Sequence, residues 1–144
     1  MFASKNSNLI RRLCTVNLKY FSQHSKVIII GAGTGGISTA NQLIQGKNFK
    51  NTDITIFDPN TIHYYQPGFT KIAGLPGMDK KLAKHITYDM KDITKNFNFK
   101  NFAVKEFDPE NNAIIDEQGE KWTYDNLIVA AGLKTNLDSI PGMF

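Results

Sequence analysis

Apolar residues fall in blocks along this chain, and the spacing within each block predicts a strand or a helix. Residues 27–30 form an uninterrupted β-branched run, Val-Ile-Ile-Ile, which is typical of a strand buried on both faces. The next apolar residues recur at helical spacing, at Ile37, Ala40 and Ile44. A second apolar strand is predicted over 53–57. A strand, a helix and a strand in this order predict an α/β fold around a parallel sheet.

The rest of the chain has shorter blocks. Residues 59–78 are rich in turn formers and are predicted as loop. Between 79 and 97 the apolar residues stand three or four positions apart, which predicts one amphipathic helix or two short ones. A small antiparallel meander follows, with predicted strands at 99–107, 113–115 and 121–123. The apolar run at 127–132 predicts a further buried parallel strand.

Length and charge limit the classes of protein that this chain can belong to. The 144 residues suffice for one modest domain, and no apolar run approaches the ~18 residues that a membrane helix needs. Four of the seventeen basic residues lie within 1–25, which has no acid, and the thirteen basic residues of 26–144 balance thirteen acids. The body of the chain therefore has no basic excess that would indicate a nucleic-acid partner.

The first 25 residues have the composition of a mitochondrial transit peptide. They lack acids, are rich in Arg, Ser and Asn, and place Leu9, Leu13 and Val16 on one helical face. A disordered N-terminal extension is the alternative. We predict a leader at 1–25 and one domain at 26–144. The single cysteine, Cys14, falls in the leader and excludes a disulfide within the chain.

A glycine-rich turn joins the first strand to the first helix, with the spacing G-x-G-x-x-G at Gly31, Gly33 and Gly36. Gly31 lets the chain turn off the strand, Gly33 leaves room for a pyrophosphate, and Gly36 lets the helix pack close to the strand. Thr34 and Gly35 open the helix, where free N–H groups and the positive end of the dipole favour an anion. These residues predict a dinucleotide phosphate site.

Two more residues are predicted at the same end of the sheet. Asp58 ends the second strand 22 residues after Gly36, where a carboxylate accepts hydrogen bonds from ribose hydroxyls. The alternative is a solvated turn at the strand end. Gly132 ends the last strand, where its missing side chain lets a ligand approach, and the alternative is an ordinary turn glycine.

Aromatic residues crowd the loop after Asp58, at Tyr64, Tyr65 and Phe69. A flat cofactor ring lying on them, with the Gln66 amide as a hydrogen-bonding partner, is one interpretation, and packing of the loop onto the core is the other. His63 is interpreted as a packed or surface histidine and not as a catalytic base. We assign no catalytic residue and no metal ligand from the sequence.

With these motifs the chain resembles the FAD-binding N-terminal half of the two-dinucleotide-binding-domain flavoproteins, the pyridine nucleotide-disulfide oxidoreductase superfamily. The resemblance rests on the glycine motif and on the segment from Tyr124 to Gly132, in which Ala131 replaces the usual Thr. The stretch Tyr65-Gln66-Pro67 is most similar to that of mitochondrial sulfide:quinone oxidoreductases. The resemblance implies a Rossmann-like FAD/NAD(P)-binding domain, a parallel sheet with a small antiparallel β-meander, present as an incomplete N-terminal half.

The same resemblance implies FAD as the cofactor and assigns its contacts by position. The matching residues are Thr34 and Gly35 for the pyrophosphate, Asp58 for the adenosine ribose, Gln66 for the flavin side, the backbone of Val104 for the adenine, and Gly132 close to the cofactor.

Members of this family oxidise hydrogen sulfide at a cysteine pair and pass the electrons through FAD to ubiquinone. The resemblance therefore implies sulfide and ubiquinone as partners of the complete enzyme, which associates with the mitochondrial inner membrane through a C-terminal region. With one cysteine in 144 residues, we expect an FAD-binding portion without the catalytic cysteines. Two alternatives stay open: another FAD enzyme such as a type-two NADH dehydrogenase, and a short non-catalytic dinucleotide-binding protein.

Overall fold

The computed structural model describes residues 23–47, 49–74, 84–134 and 136–142. The strands within these ranges are β1 (Gln23–Ile30), β2 (Ile54–Phe57), β3 (Ile62–Tyr64), β4 (Thr87–Asp89), β5 (Asn98–Lys100), β6 (Val104–Asp108), β7 (Ala113–Asp116) and β8 (Lys121–Val129). Helices within these ranges include α1 (Thr34–Gln45), α2 (Pro67–Gly74) and α3 (Met90–Thr94). Cys14 and residues 1–22 of the predicted leader lie outside the described ranges.

The main sheet has the strand order β5-β2-β1-β8-β7-β6. β1 is parallel to β2 and to β8, and β2 is parallel to β5. β8, β7 and β6 form an antiparallel meander, and β3 pairs with β4 in a separate antiparallel sheet. This arrangement confirms the predicted Rossmann-like α/β class with its small meander.

The β-branched run of β1 contributes to a core on each side of the sheet, because successive side chains of a strand point to opposite faces. On one face, Val27 and Ile29 pack in a cluster with Ala40 of α1. On the other face, the even-numbered residues of the run pack with Phe57 and Trp122. The rings of Phe57 and Trp122 meet edge to face, with centroids 5.2 Å apart. The prediction that this strand is buried on both faces is confirmed.

Helix α1 begins directly after the glycine turn and ends where the sequence predicts. Its first internal hydrogen bond runs from the N–H of Ile37 to the carbonyl of Gly33, at 3.0 Å. Gly46 closes it by donating to the carbonyl of Gln42 at 2.9 Å. Ala40, on the predicted apolar face, is fully buried. β1, the turn and α1 therefore form the strand–turn–helix unit that the motif requires.

The first described strand includes residues that the composition assigns to the leader. Residues 23–25, which the composition assigns to the leader, belong to β1 and pair with β8. Ser25 is buried, and its hydroxyl donates to the carbonyl of Asp53 at 3.2 Å. No helix in the described ranges is long and apolar enough to cross a membrane.

The single strand predicted over 99–107 is wrong, because the structure divides this segment between opposite edges of the sheet. β5 pairs with β2 at one edge, and β6 pairs with β7 at the other. The chain leaves β5 at Asn101, whose side-chain amide donates to the carbonyls of Asp58 and Asn60 at 2.9 and 3.1 Å. Apolar residues stand on both sides of this break, at Phe99 and Phe102, so the composition of the segment does not reveal it.

Two strands predicted near the end of the chain are one strand in the structure. The segments 121–123 and 127–132 merge into β8, which ends at Val129. Its start pairs with β7, while its length pairs with β1, so one strand serves both the meander and the parallel ladder. The prediction of a buried strand over 127–132 is wrong, because none of these residues is fully buried. Leu127 and Ile128 are partly buried, and Val129 is 59% exposed.

The helical predictions in the middle of the chain also need correction. Residues 67–74, predicted as loop, form α2, which begins at Pro67, a residue favoured at the first helical position. Strand β4 interrupts the helix predicted over 79–97, whose first residues, 79–83, lie outside the described ranges. Asp89 ends this strand and caps α3 by accepting a 2.9 Å hydrogen bond from the N–H of Lys91.

Candidate dinucleotide-binding site

The first glycine of the motif makes a turn that no other residue accommodates easily. Gly31 has φ +98°, in the region that L side chains rarely adopt, and its N–H donates to the carbonyl of Phe57 at 2.8 Å. A Cβ at this position would overlap the carbonyl oxygen of Ala130. The turn therefore lies tightly between the ends of β2 and β8.

The other two motif glycines differ in their surroundings. A Cβ on Gly36 would overlap the carbonyl oxygen of Gly31, so α1 approaches the turn at backbone distance. Gly33 has an extended backbone, φ −71° and ψ −173°, and a Cβ there would meet no atom within 4 Å. The space in front of Gly33 is therefore open, and a ligand can reach the backbone there.

The start of α1 has no group of its own to satisfy its N–H groups. The helix has no side-chain cap and no acidic residue in its first turn. The N–H groups that precede the first internal hydrogen bond, those of Thr34, Gly35 and Gly36, have no acceptor within the helix. Free donors at the positive end of a helix dipole suit a pyrophosphate, so this cradle fits the phosphates of FAD.

A groove of about 600 Å³ lies in front of this helix start. Its lining brings together seven of the nine residues predicted from sequence: Gly31, Gly33, Thr34, Gly35, Asp58, Gln66 and Gly132. Ala130, Ala131 and Leu133 of the segment after β8 complete one wall with Gly132, which has φ +69°. Gly36 lies beneath the turn and shapes it without lining the groove.

Val104 is the predicted site residue that the structure does not bring to the groove. It begins β6, where it is paired with Asp116 in register at the edge of the sheet. Its partly buried side chain packs against the cluster that contains Trp122. The groove lining does not include it.

Asp58 is a buried hydrogen-bond acceptor in this structure and not a solvated turn residue. Its side chain is 7% exposed. Oδ2 accepts a 2.7 Å hydrogen bond from the N–H of Ala32, the residue between the first two glycines. Oδ1 accepts two hydrogen bonds of 2.8 Å from Asn60, one from its N–H and one from its side-chain amide. Since a carboxylate offers about four acceptor positions, one position on Oδ2 stays available to a ligand hydroxyl.

Asn60 is a groove residue that our sequence analysis missed. It lines the groove next to Asp58, and its side-chain oxygen receives no hydrogen bond within the described structure. Asp-x-Asn after a strand is a turn pattern in which the acid accepts from the backbone two residues on, and this pattern was the available signal. The amide of Asn60 can offer both a donor and an acceptor to a ribose.

The aromatic loop is more exposed than packing onto the core would make it. Tyr64, Tyr65 and Phe69 have about half of their surface exposed, and the rings of Tyr64 and Phe69 lie 6.0 Å apart. His63 is partly buried, and its Nδ1 lies 3.3 Å from the carbonyl oxygen of Ala32. The sequence interpretation of His63 as packed agrees with its burial, but the contact with the glycine turn was not foreseen.

The carboxyl groups with lowered pKa values lie away from the groove. Hydrogen bonding from the N–H of Lys50 lowers the pKa of Asp53, and Lys26 adds to the effect. The side-chain amide of Asn111 lowers the pKa of Asp108, and the Lys121 ammonium contributes next. These groups are surface ion pairs and turn contacts, and the described residues contain no cluster of metal-binding side chains.

The fold and the groove define a Rossmann-type dinucleotide-binding domain. Residues 25–144 match the family described as pyridine nucleotide-disulphide oxidoreductase, and the chain belongs to that family. The family and its sulfide:quinone oxidoreductases depend on FAD.

Three comparisons show how far the likeness extends. The chain is 37% identical over 121 residues to a mitochondrial sulfide:quinone oxidoreductase of Dictyostelium discoideum, covering 83% of this chain and 25% of the relative. It is 34% identical over 142 residues to that of Schizosaccharomyces pombe, covering 87% and 30%. The crystal structure of the sulfide:quinone oxidoreductase from Aquifex aeolicus superposes with a TM-score of 0.59 at 26% identity, covering 78% of this chain and 25% of that one. The chain thus spans between a quarter and a third of the length of these relatives.

Proposed function

We propose that this chain is the FAD-binding portion of a sulfide:quinone oxidoreductase, in which it holds the adenosine and pyrophosphate parts of the cofactor. One observation carries the proposal: the Ala32–Asp58 hydrogen bond of 2.7 Å joins the phosphate turn to the acid that ends β2, beside one groove. The free N–H groups of Thr34 and Gly35 would bind the pyrophosphate. Asp58 and Asn60 would bind the ribose.

The remaining contacts follow from the lining of the groove. Gln66 and the backbone at Gly132 would lie along the cofactor toward the flavin. The exposed aromatic residues Tyr64 and Tyr65 would border the flavin side. The backbone of Val104, which lies outside the groove lining, would contact the adenine, as the sequence predicts.

The wider activity is proposed for this chain from its relatives alone. In a sulfide:quinone oxidoreductase the FAD would pass electrons from sulfide to a quinone, and the protein would work in mitochondria, as the names of two relatives state for them. The 144 residues contain one cysteine, Cys14, so we assign no cysteine-pair chemistry to them.

FAD retention by the purified chain tests the proposal, with Gly33→Val as the critical variant. Gly33 has an extended backbone that valine adopts without strain, so the variant should fold while its side chain fills the phosphate space. Gly74→Val is a matched control, because a Cβ on Gly74 also meets no atom within 4 Å but lies outside the groove. We expect FAD binding in the control and the unaltered chain and none in Gly33→Val. Equal FAD binding in all three proteins would contradict the proposal.

Mass spectrometry of the protein from mitochondria tests the wider activity. Peptides that extend this chain with a cysteine pair would support sulfide oxidation. Peptides that extend it with a second G-x-G-x-x-G motif and no cysteine pair would favour an NADH dehydrogenase instead.

A further inference from the structure

His63 contacts the phosphate-binding turn at the carbonyl of Ala32, whereas Asp58 contacts the N–H of the same residue. β3 carries it to the groove, and its Nδ1 lies 3.3 Å from the carbonyl oxygen of Ala32. A carbonyl oxygen only accepts hydrogen bonds, so Nδ1 carries the proton and donates. The side chain also lines a second space of about 310 Å³, which adjoins the groove and shares Gly33 and Thr34 with it.

Both backbone polar groups of Ala32, its N–H and its carbonyl, are therefore hydrogen-bonded to side chains. Its N–H donates to Asp58 at 2.7 Å, and its carbonyl accepts from His63 at 3.3 Å. The residue is fully buried, so solvent does not compete for these groups. Two side chains from the segment that follows β2 thus fix the middle residue of the G-x-G turn.

The contact with the carbonyl has a consequence for the next amide. A peptide group is planar and trans, so the carbonyl of Ala32 and the N–H of Gly33 point in opposite directions across one rigid plane. A side chain that fixes the carbonyl also fixes the direction of this N–H. Gly33 is the N-cap residue of α1, and its N–H is one of the donors that the helix leaves free for an anion.

We propose that His63 is a positioning residue of the phosphate-binding turn. Its Nδ1–H orients the Ala32–Gly33 peptide, so that the Gly33 N–H is set in advance for a phosphate oxygen in the groove. The inference rests on the proposed function for its ligand, but the orienting hydrogen bond is a property of the ligand-free chain. His63 therefore acts on affinity through backbone geometry and does not itself react.

Two substitutions distinguish the effect of the hydrogen bond from the effect of the ring volume. His63→Phe keeps a ring of similar size but has no donor at the δ position. His63→Asn loses most of the ring but places an amide N–H close to the position of Nδ1, so it can still donate to Ala32. His85→Phe is the matched control, since His85 is exposed and lines neither the groove nor the adjoining space.

The first measurement needs no ligand. We expect the carbonyl carbon of Ala32 and the amide of Gly33 to change their NMR chemical shifts in His63→Phe, to return toward the original values in His63→Asn, and to stay unchanged in His85→Phe. Unchanged resonances in His63→Phe would overturn the inference whatever the chain binds. Equal changes in His63→Phe and His63→Asn would also overturn it, because they would show that the ring volume matters and the hydrogen bond does not.

The second measurement is FAD affinity by titration with the same variants. Loss of one orienting hydrogen bond should weaken binding about 3- to 10-fold in His63→Phe, with affinity largely recovered in His63→Asn. Equal affinities in His63→Phe and the unaltered chain would refute the positioning role. Absence of FAD binding in the unaltered chain would refute the proposed function alone, and the NMR comparison would still decide on His63.

Discussion

Asp58 and Ala32 are joined by a 2.7 Å hydrogen bond, through which the acid that ends β2 holds the phosphate turn that follows β1. Among the described residues, the carboxylate accepts three hydrogen bonds, one from the N–H of Ala32 and two from the N–H and side-chain amide of Asn60. The two parallel strands of the nucleotide-binding unit are thus joined at their carboxyl ends as well as along their ladder. Binding-site geometry and fold stability therefore depend on the same acid.

Asp58→Asn should destabilise the fold as well as weaken FAD binding. The new amide group places a donor where the carboxylate accepted one, and a buried donor without an acceptor costs about 1–3 kcal/mol. Urea unfolding followed by the fluorescence of Trp122 measures the difference. Asp138→Asn, at an exposed position, is the control and should stay within about 0.5 kcal/mol. Equal stability of the two variants would contradict the role assigned to Asp58.

The three motif glycines should respond differently to alanine. Gly31→Ala and Gly36→Ala each place a Cβ on backbone oxygen, and at Gly31 the positive φ adds about 1–2 kcal/mol of strain. Gly33→Ala meets open space and should change the free energy of unfolding by less than about 0.5 kcal/mol. Thermal unfolding of the three variants checks the order. A Gly33→Ala variant as unstable as the other two would show that the turn is packed differently.

Asp116 should be important for stability and unimportant for the cofactor. It is 1% exposed, accepts from the backbone N–H groups of Gln118 and Glu120, and accepts from the indole of Trp122 at 3.0 Å. Asp116→Ala leaves the buried indole donor unpaired, which costs about 1–3 kcal/mol. Chemical denaturation and FAD titration of this variant should show lower stability with unchanged affinity. A marked loss of affinity in the folded variant would be evidence against the groove described above.

Adding Trp122→Phe to Asp116→Ala tests whether the unpaired indole donor causes the loss of stability. The second substitution removes the orphaned donor, so the double variant should be more stable than the sum of the two single effects predicts. Strict additivity would mean that the hydrogen bond of 3.0 Å contributes little.

Asp108 should contribute stability that depends on pH. The side-chain amide of Asn111 lowers its pKa in the folded state, and Lys121 contributes further. A carboxyl with a lowered folded pKa stabilises the fold above its ordinary pKa, and this contribution is lost as pH falls through the lower folded value. NMR titration should find that Asn111→Ala raises the pKa of Asp108 toward the ordinary value for aspartate. An unchanged pKa in this variant would contradict the assigned cause.

Local patterns predict the strand–turn–helix unit around the glycine motif well, because its signals are contiguous. The run at 27–30, the glycine motif and the spacing to Asp58 lie within two strands and one helix that follow each other directly. Each step in that unit is set by near neighbours in sequence. The strand–turn–helix geometry therefore follows from the order of residue types alone.

Pairings between distant segments are what the sequence does not reveal. The division of 99–107 between two sheet edges depends on Asn101, which bonds to residues more than forty positions earlier. The pairing of β3 with β4 interrupts a helical pattern whose periodicity is otherwise regular. The contact of His63 with Ala32 likewise joins residues 31 positions apart. Such contacts depend on the tertiary fold and produce no periodic pattern of apolar and polar residues in the sequence.

The most direct test of the groove is an amide NMR titration of the labelled chain with FAD. We expect the resonances of Gly33, Thr34, Gly35 and Gly132 to change with FAD concentration. The resonance of Gly119, in the turn before β8 and outside the groove, should not change. If the glycine turn shows no changes, or if the changes are confined to residues outside the groove, this turn and this groove do not hold the cofactor.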